Sequence, residues 1–326
     1  MTNGEYNIAK ECHHMDKLEL KKSYYTLFDQ LLKNNTYESF VDFAFFMRMH
    51  RNLSVFNSCL IYAQRPGAVL TATESEWKTR YHRSVKPDAT PIVVMRTFGP
   101  VMFVYEALDT YSDDENEDIN KFIDMHVLCD AQSVGSLDDV DLGLVKRDLS
   151  EHGIYYSEGL FGGKNGGSIR REDKPATWKI IKRKRIKQKD DTYKYEDVTE
   201  TIRSRYFLTV NSSYEAHNKI MVVLHELGHL FCSHVKVDEE NKLIKIRDRK
   251  GLRLTEAQEE CEAETACQLF CKKYDIPHDA DKYKNQYAKN GTLPYISMRA
   301  VVDAVDKMTA ILPKLTNKLK KGWEKY

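Results

Sequence analysis

Features that would indicate an exported or membrane-bound protein are missing from the 326-residue sequence. No stretch of about 18 uncharged apolar residues occurs, although a helix needs roughly that length to cross a bilayer. The first 17 residues, MTNGEYNIAKECHHMDK, lack the apolar centre and the small-residue cleavage site of a secretory signal. We therefore expect a soluble, cytoplasmic protein that does not act at a membrane.

The sequence also lacks any C-x-x-C pair. Its seven cysteines are an odd number, spread from Cys12 to Cys271 in a chain too long to need disulfide staples, so reduced thiols are expected. Four of them could suggest a second, thiolate metal site, but buried small apolar side chains are the favoured interpretation. These four are Cys232, Cys261, Cys267 and Cys271.

A surplus of charge of one sign is missing as well. The net charge is +1, which argues against electrostatic capture of nucleic acid by the protein as a whole. Charge is nevertheless concentrated locally. Residues 179–189 (KIIKRKRIKQK) contain seven basic residues and no acidic one, which is compatible with a phosphate-binding ribbon or with an exposed hairpin that has no ligand. Residues 113–118 (DDENED) predict a solvated surface loop.

The hydrophobic pattern changes along the first half of the chain. Residues 18–50 have apolar positions at helical spacing, which predicts two amphipathic helices. Residues 91–95 and 101–105 are short β-rich runs around Gly99-Pro100, a turn signal, and predict a hairpin. Residues 153–173 contain five glycines after Gly153 and predict a flexible connection or a loop over a cleft, without the spacing of a phosphate-binding loop.

The second half alternates between strand-like and helical segments. Strands are predicted near residues 178–181 and 206–210, and the second of these ends at Asn211-Ser212-Ser213, which are favourable helix caps. Helices are predicted over residues 214–233 and 255–274, and another from Ser297 with a kink or break at Pro313.

The sequence HELGH at residues 225–229 lies in the first of these helices. Residues four apart on a helix face nearly the same direction, so His225 and His229 can bind one cation. Glu226 is then placed to act as a general base on a metal-bound water. The motif predicts a zinc site.

A catalytic zinc usually has three protein ligands and one open position, so a third ligand is expected. The carboxylate-rich segment EAQEECEAETACQLF supplies candidates, and Glu260 and Glu264 share an inward-pointing face with Ala263. Glu262 is the third choice. His234 has the wrong spacing to be a third histidine ligand, and a helix-end or core histidine is the better interpretation.

HELGH followed by E-C-E-A-E resembles the pattern of the gluzincin-like peptidases of the ImmA/IrrE group. The resemblance implies zinc ligands at His225, His229 and Glu260, a catalytic base at Glu226, and Glu264 as a carboxylate that orients a ligand histidine. Glu264 replaces the Asp or Asn that is usual in the group, so the roles of Glu260 and Glu264 could be exchanged.

Residues 47–109 resemble the amino-terminal, single-stranded-DNA-binding domain of ArdC-type antirestriction proteins. The resemblance is carried by N-x-x-L-I-x-x-Q-x-P at residues 57–66, then by Trp77 and Arg83-Ser-Val85. It implies DNA contacts by cationic side chains, with Tyr62 and Tyr81 nearby for stacking, although for the aromatic residues a core position is favoured. The candidate cations are Arg48, Arg51, Arg65, Lys78, Arg80, Arg83 and Lys86.

These observations together predict an α+β protein of two domains. Residues 1–135 would form an ArdC-like module of helices and a small β-meander, and residues 136–326 a zincin-like domain in which the strand at 206–210 pairs with an extended substrate. The expected function is a Zn²⁺-dependent endopeptidase acting on a protein or peptide, in an antirestriction, mobile-element or phage regulatory setting. The alternatives are a DNA-binding antirestriction protein with a mainly structural zinc, and an ImmA-like regulator that cleaves a repressor.

Overall fold

The structure is a computed structural model that describes most of the chain. The described residues are 37–50, 53–96, 101–114, 117–123, 125–126, 137, 140–161, 166–187, 193–241, 243–244, 249, 253–278 and 294–321. The first of the two helices predicted within residues 18–50 lies outside them. Helices and strands both occur, in agreement with the predicted α+β class.

The amino-terminal half contains short helices and short strands. Helices α1 to α4 are Tyr37–Met49, Val55–Gln64, Glu74–Arg80 and Ile119–Ile123, and strands β1 to β5 are Thr71–Ala72, Ser84–Val85, Ile92–Val94, Met102–Glu106 and Thr110–Tyr111. Strands β3 and β4 form the predicted antiparallel hairpin, and β1 adds to the other side of β4. Residues 97–100 of the predicted turn lie outside the described residues.

The edge of β3 that faces away from β4 is covered by two side-chain amides of α2. The Asn57 side chain accepts from the N–H of Met95 and donates to its carbonyl, at 2.9 and 3.0 Å. Gln64 makes the same pair of bonds with Val93, at 2.9 and 2.8 Å. Both amides therefore satisfy backbone groups that would otherwise be unpaired at a sheet edge.

A buried histidine at the end of α1 predicts a pH-dependent stability. His50 is 4% exposed, stacks on Phe46, and places Nδ1 3.1 Å from the Phe46 carbonyl. Burial lowers the pKa of His50 to about 4. Since the unfolded chain is protonated near pH 6.5, it binds more protons than the folded protein below that pH, and stability falls as the pH drops from about 6.5 to about 4.

The loss attributable to His50 is up to about 3 kcal/mol, from roughly 1.4 kcal/mol per pKa unit. Urea unfolding across this pH range should show it, and His50→Leu should flatten the decline. His217→Gln, at an exposed histidine, is the control and should keep the wild-type slope. Parallel pH profiles of wild type and His50→Leu would contradict the assignment.

The second half contains one three-stranded sheet and the longest helices. Strands β6, β7 and β8 are Ile154–Gly159, Gly167–Lys187 and Tyr193–Asn211, in the order β6-β8-β7. The helices are α5 (Leu142–Glu151), α6 (Ala216–Phe231), α7 (Glu256–Lys273), α8 (Met298–Ile311) and α9 (Pro313–Lys321). The break at Pro313 is confirmed. Among the described residues, no helix combines the length and the apolar character needed to cross a membrane.

The predicted role of residues 206–210 as a substrate-pairing strand is wrong. These residues lie in β8, which pairs with β6 in parallel on one side and with β7 antiparallel on the other. Because both sets of backbone groups are already paired, an extended peptide cannot add there. The edges of this sheet are β6 and β7.

The glycine-rich segment is also different from its prediction. Much of residues 153–173 is strand, in β6 and the start of β7, rather than a flexible connection. A Cβ at Gly167 would lie 2.6 Å from Val222 Cγ1 and 2.7 Å from the Thr209 carbonyl oxygen, so glycine lets β7 lie directly on α6.

The helices at the centre of the molecule start and pack as their sequences dictate. Helix α7 begins with a capping box, in which Thr255 and Gln258 bond reciprocally. Helix α6 begins after Glu215, and Asn211 is not its cap, since the Asn211 side chain accepts from Ser213 in a turn before the helix.

One large apolar core surrounds α6. It contains residues of β8, α7 and α8, and also Phe43, Met47 and Val55 from α1 and α2. In addition, the Asp306 carboxylate of α8 accepts from the backbone N–H groups of Val55 and Phe56 at 2.7 and 3.1 Å. The predicted boundary between residues 135 and 136 stays a prediction.

Candidate metal centre

The candidate site is formed by α6 and α7, which cross in close contact. A Cβ at Gly228 would lie 2.7 Å from the carbonyl oxygen and 2.9 Å from the Cα of Ala263. Glycine in HELGH and alanine in ECEAE therefore allow the two helix backbones to approach at a distance that larger side chains would prevent. This contact brings Glu260 opposite His225 and His229.

Three side chains present their ligand atoms to one point. The Nε2 atoms of His225 and His229 lie 3.2 Å apart. The Glu260 carboxylate oxygens lie 3.3 Å from His225 Nε2 and 3.5 Å from His229 Nε2. In a tetrahedral zinc site with bonds of about 2.05 Å, neighbouring ligand atoms are about 3.3 Å apart. The spacing of these atoms fits a metal ion, and the three residues could hold one.

The outer nitrogen of His225 is held by a carboxylate. His225 Nδ1 lies 3.1 Å from Glu264 Oε2, and the other oxygen of Glu264 lies 2.6 Å from His278 Nε2. Glu264 is 3% exposed. Although burial alone would raise the pKa of Glu264, the contacts with His225 and His278 lower it to about 2, so the group is a carboxylate. As an acceptor, it fixes the proton of His225 on Nδ1.

The outer nitrogen of His229 is held by a longer chain of bonds. His229 Nδ1 lies 3.0 Å from His234 Nδ1, and His234 Nε2 lies 2.9 Å from Glu262 Oε2. Glu262 also accepts from both terminal nitrogens of Arg249, at 2.5 and 3.2 Å, and from the Ser297 backbone N–H at 2.8 Å. The Glu262 carboxylate is therefore fully occupied and points away from the metal position.

This chain determines where the protons of His229 and His234 lie. Because Glu262 can only accept, a neutral His234 donates through Nε2 and accepts through Nδ1. His229 must then donate through Nδ1. When both candidate ligand histidines are neutral, each therefore presents a lone pair at Nε2, and two such lone pairs 3.2 Å apart beside the Glu260 carboxylate are the donor set of a cation site.

The electrostatics of the three candidate ligands are strongly coupled. Although burial would lower it, hydrogen bonds with Glu260 and Glu264 raise the pKa of His225 well above its usual value. Although burial would raise it, bonds with His225 and His229 lower the pKa of Glu260. The side chains of His225, His229 and Glu260 are 26%, 14% and 27% exposed, so a small molecule can reach the site from solvent.

Glu226 lies beside this site in a different environment. It is 8% exposed, and burial raises its pKa, while the charges of His229 and His225 partly oppose the shift. The nearby backbone N–H of Ile169 in β7 also opposes the shift. A buried carboxylate of raised pKa next to two imidazoles is suited to take up and release a proton.

A second group of potential ligands, Cys232, His234 and Glu262, is close enough by distance alone. Its chemistry is unfavourable to a cation, because Glu262 already bonds Arg249 and because burial raises the pKa of the Cys232 thiol well above its usual value. Like Cys232, the other cysteines near the motif are buried, as predicted: Cys261, Cys267 and Cys271.

Three of the residues predicted to bind nucleic acid form ion pairs within the protein. The structure corrects the prediction that Arg83 contacts nucleic acid. Arg83 is 4% exposed, and its guanidinium donates to Thr110 and forms an ion pair with Glu117. Arg65 pairs with Glu106 and Asp109, and Arg48 with Asp275. The remaining described candidates, Lys78, Arg80 and Lys86, are exposed, and Arg51 lies outside the described residues.

The aromatic residues of the same region pack inside the protein. Trp77 is fully buried and donates to the Tyr105 carbonyl, and Tyr62 packs on Phe43 and Phe46. The core interpretation favoured for them is confirmed for Trp77. It leaves few stacking surfaces in this half of the described chain.

Comparison of the chain with protein-family models, curated proteins and solved structures finds no match in any of the three.

The sequence analysis did not predict His278 and Arg249, which lie 14 and 13 residues from the carboxylates that they contact. No sequence spacing predicts which loop residue will contact a given residue of a helix. His234, by contrast, lies only five residues beyond His229, just past the end of α6, and could have been recognised as its partner.

Proposed function

We propose that the protein is a zinc-dependent metallopeptidase in which His225, His229 and Glu260 hold the metal. The observation that carries the proposal is the convergence of two histidine Nε2 atoms and one carboxylate at the spacing of a tetrahedral site, with both Nδ1 atoms held from outside. Imidazole and carboxylate donors suit zinc, and three protein ligands leave the fourth position for water.

When bound, Zn²⁺ would polarise a scissile carbonyl and lower the pKa of a water molecule at its open position. Glu226 would take the proton from that water and later deliver it to the leaving amine. Burial supports both roles, since a carboxyl of raised pKa exchanges a proton more readily near neutral pH. Glu264 and His234 would keep the two ligand imidazoles in the tautomer that binds the metal.

The substrate in this proposal is an extended peptide that lies along β7. Within the described residues, no strand pairs with the edge of β7 opposite β8. Ile169 of β7 lies near Glu226, so a peptide added along the free edge of β7 would run past the proposed base. Backbone pairing at an edge accepts varied side chains, which suits protein substrates.

The biological setting that we propose rests on sequence resemblance alone. A peptidase of the ImmA/IrrE kind joined to an ArdC-like amino-terminal module suits an antirestriction, mobile-element or phage regulatory protein. The cleaved protein in such a setting would be a restriction component or a repressor.

Metal analysis combined with a peptidase assay tests the proposed function. The purified protein should contain one zinc per chain and hydrolyse a peptide library, and a chelator should abolish hydrolysis until zinc is restored. His225→Ala and Glu260→Ala should lose both zinc and activity, because each removes a ligand.

The matched control is Glu259→Ala, which changes a neighbouring carboxylate of α7 that the structure does not place among the ligands. It should keep zinc and activity. Stoichiometric zinc in Glu260→Ala would refute the third-ligand assignment, and a zinc-loaded wild-type protein that cleaves no member of the library would contradict the peptidase.

A further inference from the structure

The paired strands β7 and β8 extend well beyond the sheet that borders the metal centre. Register pairs run from Ala176↔Ser204 to Lys187↔Tyr193, whereas β6 pairs only with residues 206–211 of β8. Residues 176–187 and 193–204 therefore form a two-stranded ribbon. At roughly 3.3 Å per residue, its outer part from Lys179 to Lys187 is about 26 Å long.

Directly opposed residues of an antiparallel pair share a face, so the register divides this ribbon into two surfaces. We call one of them the arginine face. It consists of Lys179, Ile181, Arg183, Arg185 and Lys187 on β7, with Tyr193, Tyr195, Asp197, Thr199 and Thr201 on β8. It has four basic residues and a single acidic one, Asp197.

The opposite face neutralises its own charges. There Lys182 and Lys184 both pair with Glu200, at 3.2 and 2.5 Å, and Lys194 pairs with Glu196 at 3.5 Å. Hydrogen bonds from Lys184 and Lys182 lower the pKa of Glu200. The lysines of the basic run on this face, Lys182 and Lys184, are thus already paired with a carboxylate.

Each of the two arginines of the arginine face lies next to a tyrosine ring rather than in an ion pair with a carboxylate. The Arg185 guanidinium carbon lies 3.6 Å from the centre of the Tyr193 ring, and that of Arg183 lies 5.3 Å from the centre of the Tyr195 ring. Neither arginine forms an ion pair within the described part of the chain. Tyr193 and Tyr195 are 50% and 56% exposed although they lie on a strand.

We infer that the arginine face binds single-stranded nucleic acid. Guanidinium groups held next to aromatic rings rather than in ion pairs keep N–H donors available for phosphate oxygens, and the exposed rings offer planes on which unpaired bases can stack. Cations alternating with aromatic rings along a groove or ribbon are the pattern that such ligands require. The inference does not depend on the peptidase proposal, since none of these residues belongs to the candidate metal centre.

The test measures binding of a fluorescein-labelled single-stranded oligodeoxynucleotide of mixed sequence to the full-length protein by anisotropy, over a range of salt concentrations. Arg183→Ala/Arg185→Ala should weaken binding roughly tenfold or more and reduce the salt slope by about 1.4, that is about 0.7 for each phosphate that an arginine no longer neutralises. Tyr193→Ala/Tyr195→Ala should weaken binding about fivefold or more at every salt concentration, because stacking is removed.

The matched control is Lys182→Ala/Lys184→Ala, which removes the same charge from the other face of the same strand. It should change the affinity less than about twofold, because those lysines are already paired with Glu200. Unchanged circular dichroism and urea unfolding would show that all three double variants are folded.

Four results would overturn the inference. One is a wild-type protein that does not bind the oligonucleotide at physiological salt, and another is an equal loss in the arginine and lysine variants, which would indicate net charge alone. A third is wild-type affinity in the arginine variant, which would place binding elsewhere. The fourth is loss of binding to phosphatidylserine vesicles in the arginine variant with oligonucleotide binding intact, which would assign the face to membranes.

Discussion

Glu226→Gln is expected to lower the rate of peptide hydrolysis by about 10²- to 10⁴-fold, the usual contribution of a general base, while the protein keeps its zinc. Glutamine has nearly the same shape as glutamate, so the variant should pack as the native side chain does. It cannot take up a proton. The loss should therefore appear in kcat and not in metal content.

The measurement is hydrolysis of the peptide library by zinc-loaded variants, with metal determined on the same samples. Glu256→Gln makes the same change at an exposed position of α7 and should keep wild-type activity. The experiment also separates the proposed peptidase from an antirestriction protein whose zinc is structural. In the latter case, Glu226→Gln would retain both its zinc and its full biological activity.

Gly228→Ala is expected to destabilise the protein by about 2 kcal/mol or more, although alanine favours an isolated helix by about 1 kcal/mol over glycine. The added Cβ would lie 2.7 Å from the Ala263 carbonyl oxygen, which is backbone and cannot move without moving α7. Relief of the contact must separate α6 from α7, and this separation also moves Glu260 away from the two histidines. Zinc affinity should fall together with stability.

Urea unfolding with and without zinc measures both effects. Gly67→Ala is the control, since no heavy atom lies within 4 Å of a Cβ added there, and its stability should be close to that of the wild type. A Gly228→Ala protein as stable as the wild type would show that the two helices are not in contact through these residues.

The site residues that the sequence predicted best all lie on a single helix, α6. His225, Glu226 and His229 are positioned by helix periodicity alone, and the helix boundaries predicted around them agree with the structure within a few residues. The carboxylates of α7 were recognisable as a set. Helix periodicity left the roles of Glu260, Glu262 and Glu264 open, because which of them faces α6 depends on the crossing of two helices; only the resemblance assigned Glu260 and Glu264 their separate roles.

Long-range pairing explains most of what the sequence could not predict. The strand at residues 206–210 was correctly predicted as a strand, but its central place in the sheet depends on β6 and β7. From the sequence, Arg83 could only be recognised as a cation. The fold shows that its guanidinium is bound by Glu117 and Thr110 inside the protein. Local patterns specify elements, whereas partners more than a few turns away are set by packing.

The core around α6 includes α1 and α2, and Asp306 of α8 holds the first turn of α2. The candidate metal ligands and the amino-terminal helices consequently share one folding equilibrium. A metal ion that binds only the native state would shift that equilibrium by mass action, so its protection against local opening would extend to α1 and α2. The amount of zinc available would then set how often the amino-terminal helices open to solvent, even though they supply no ligand.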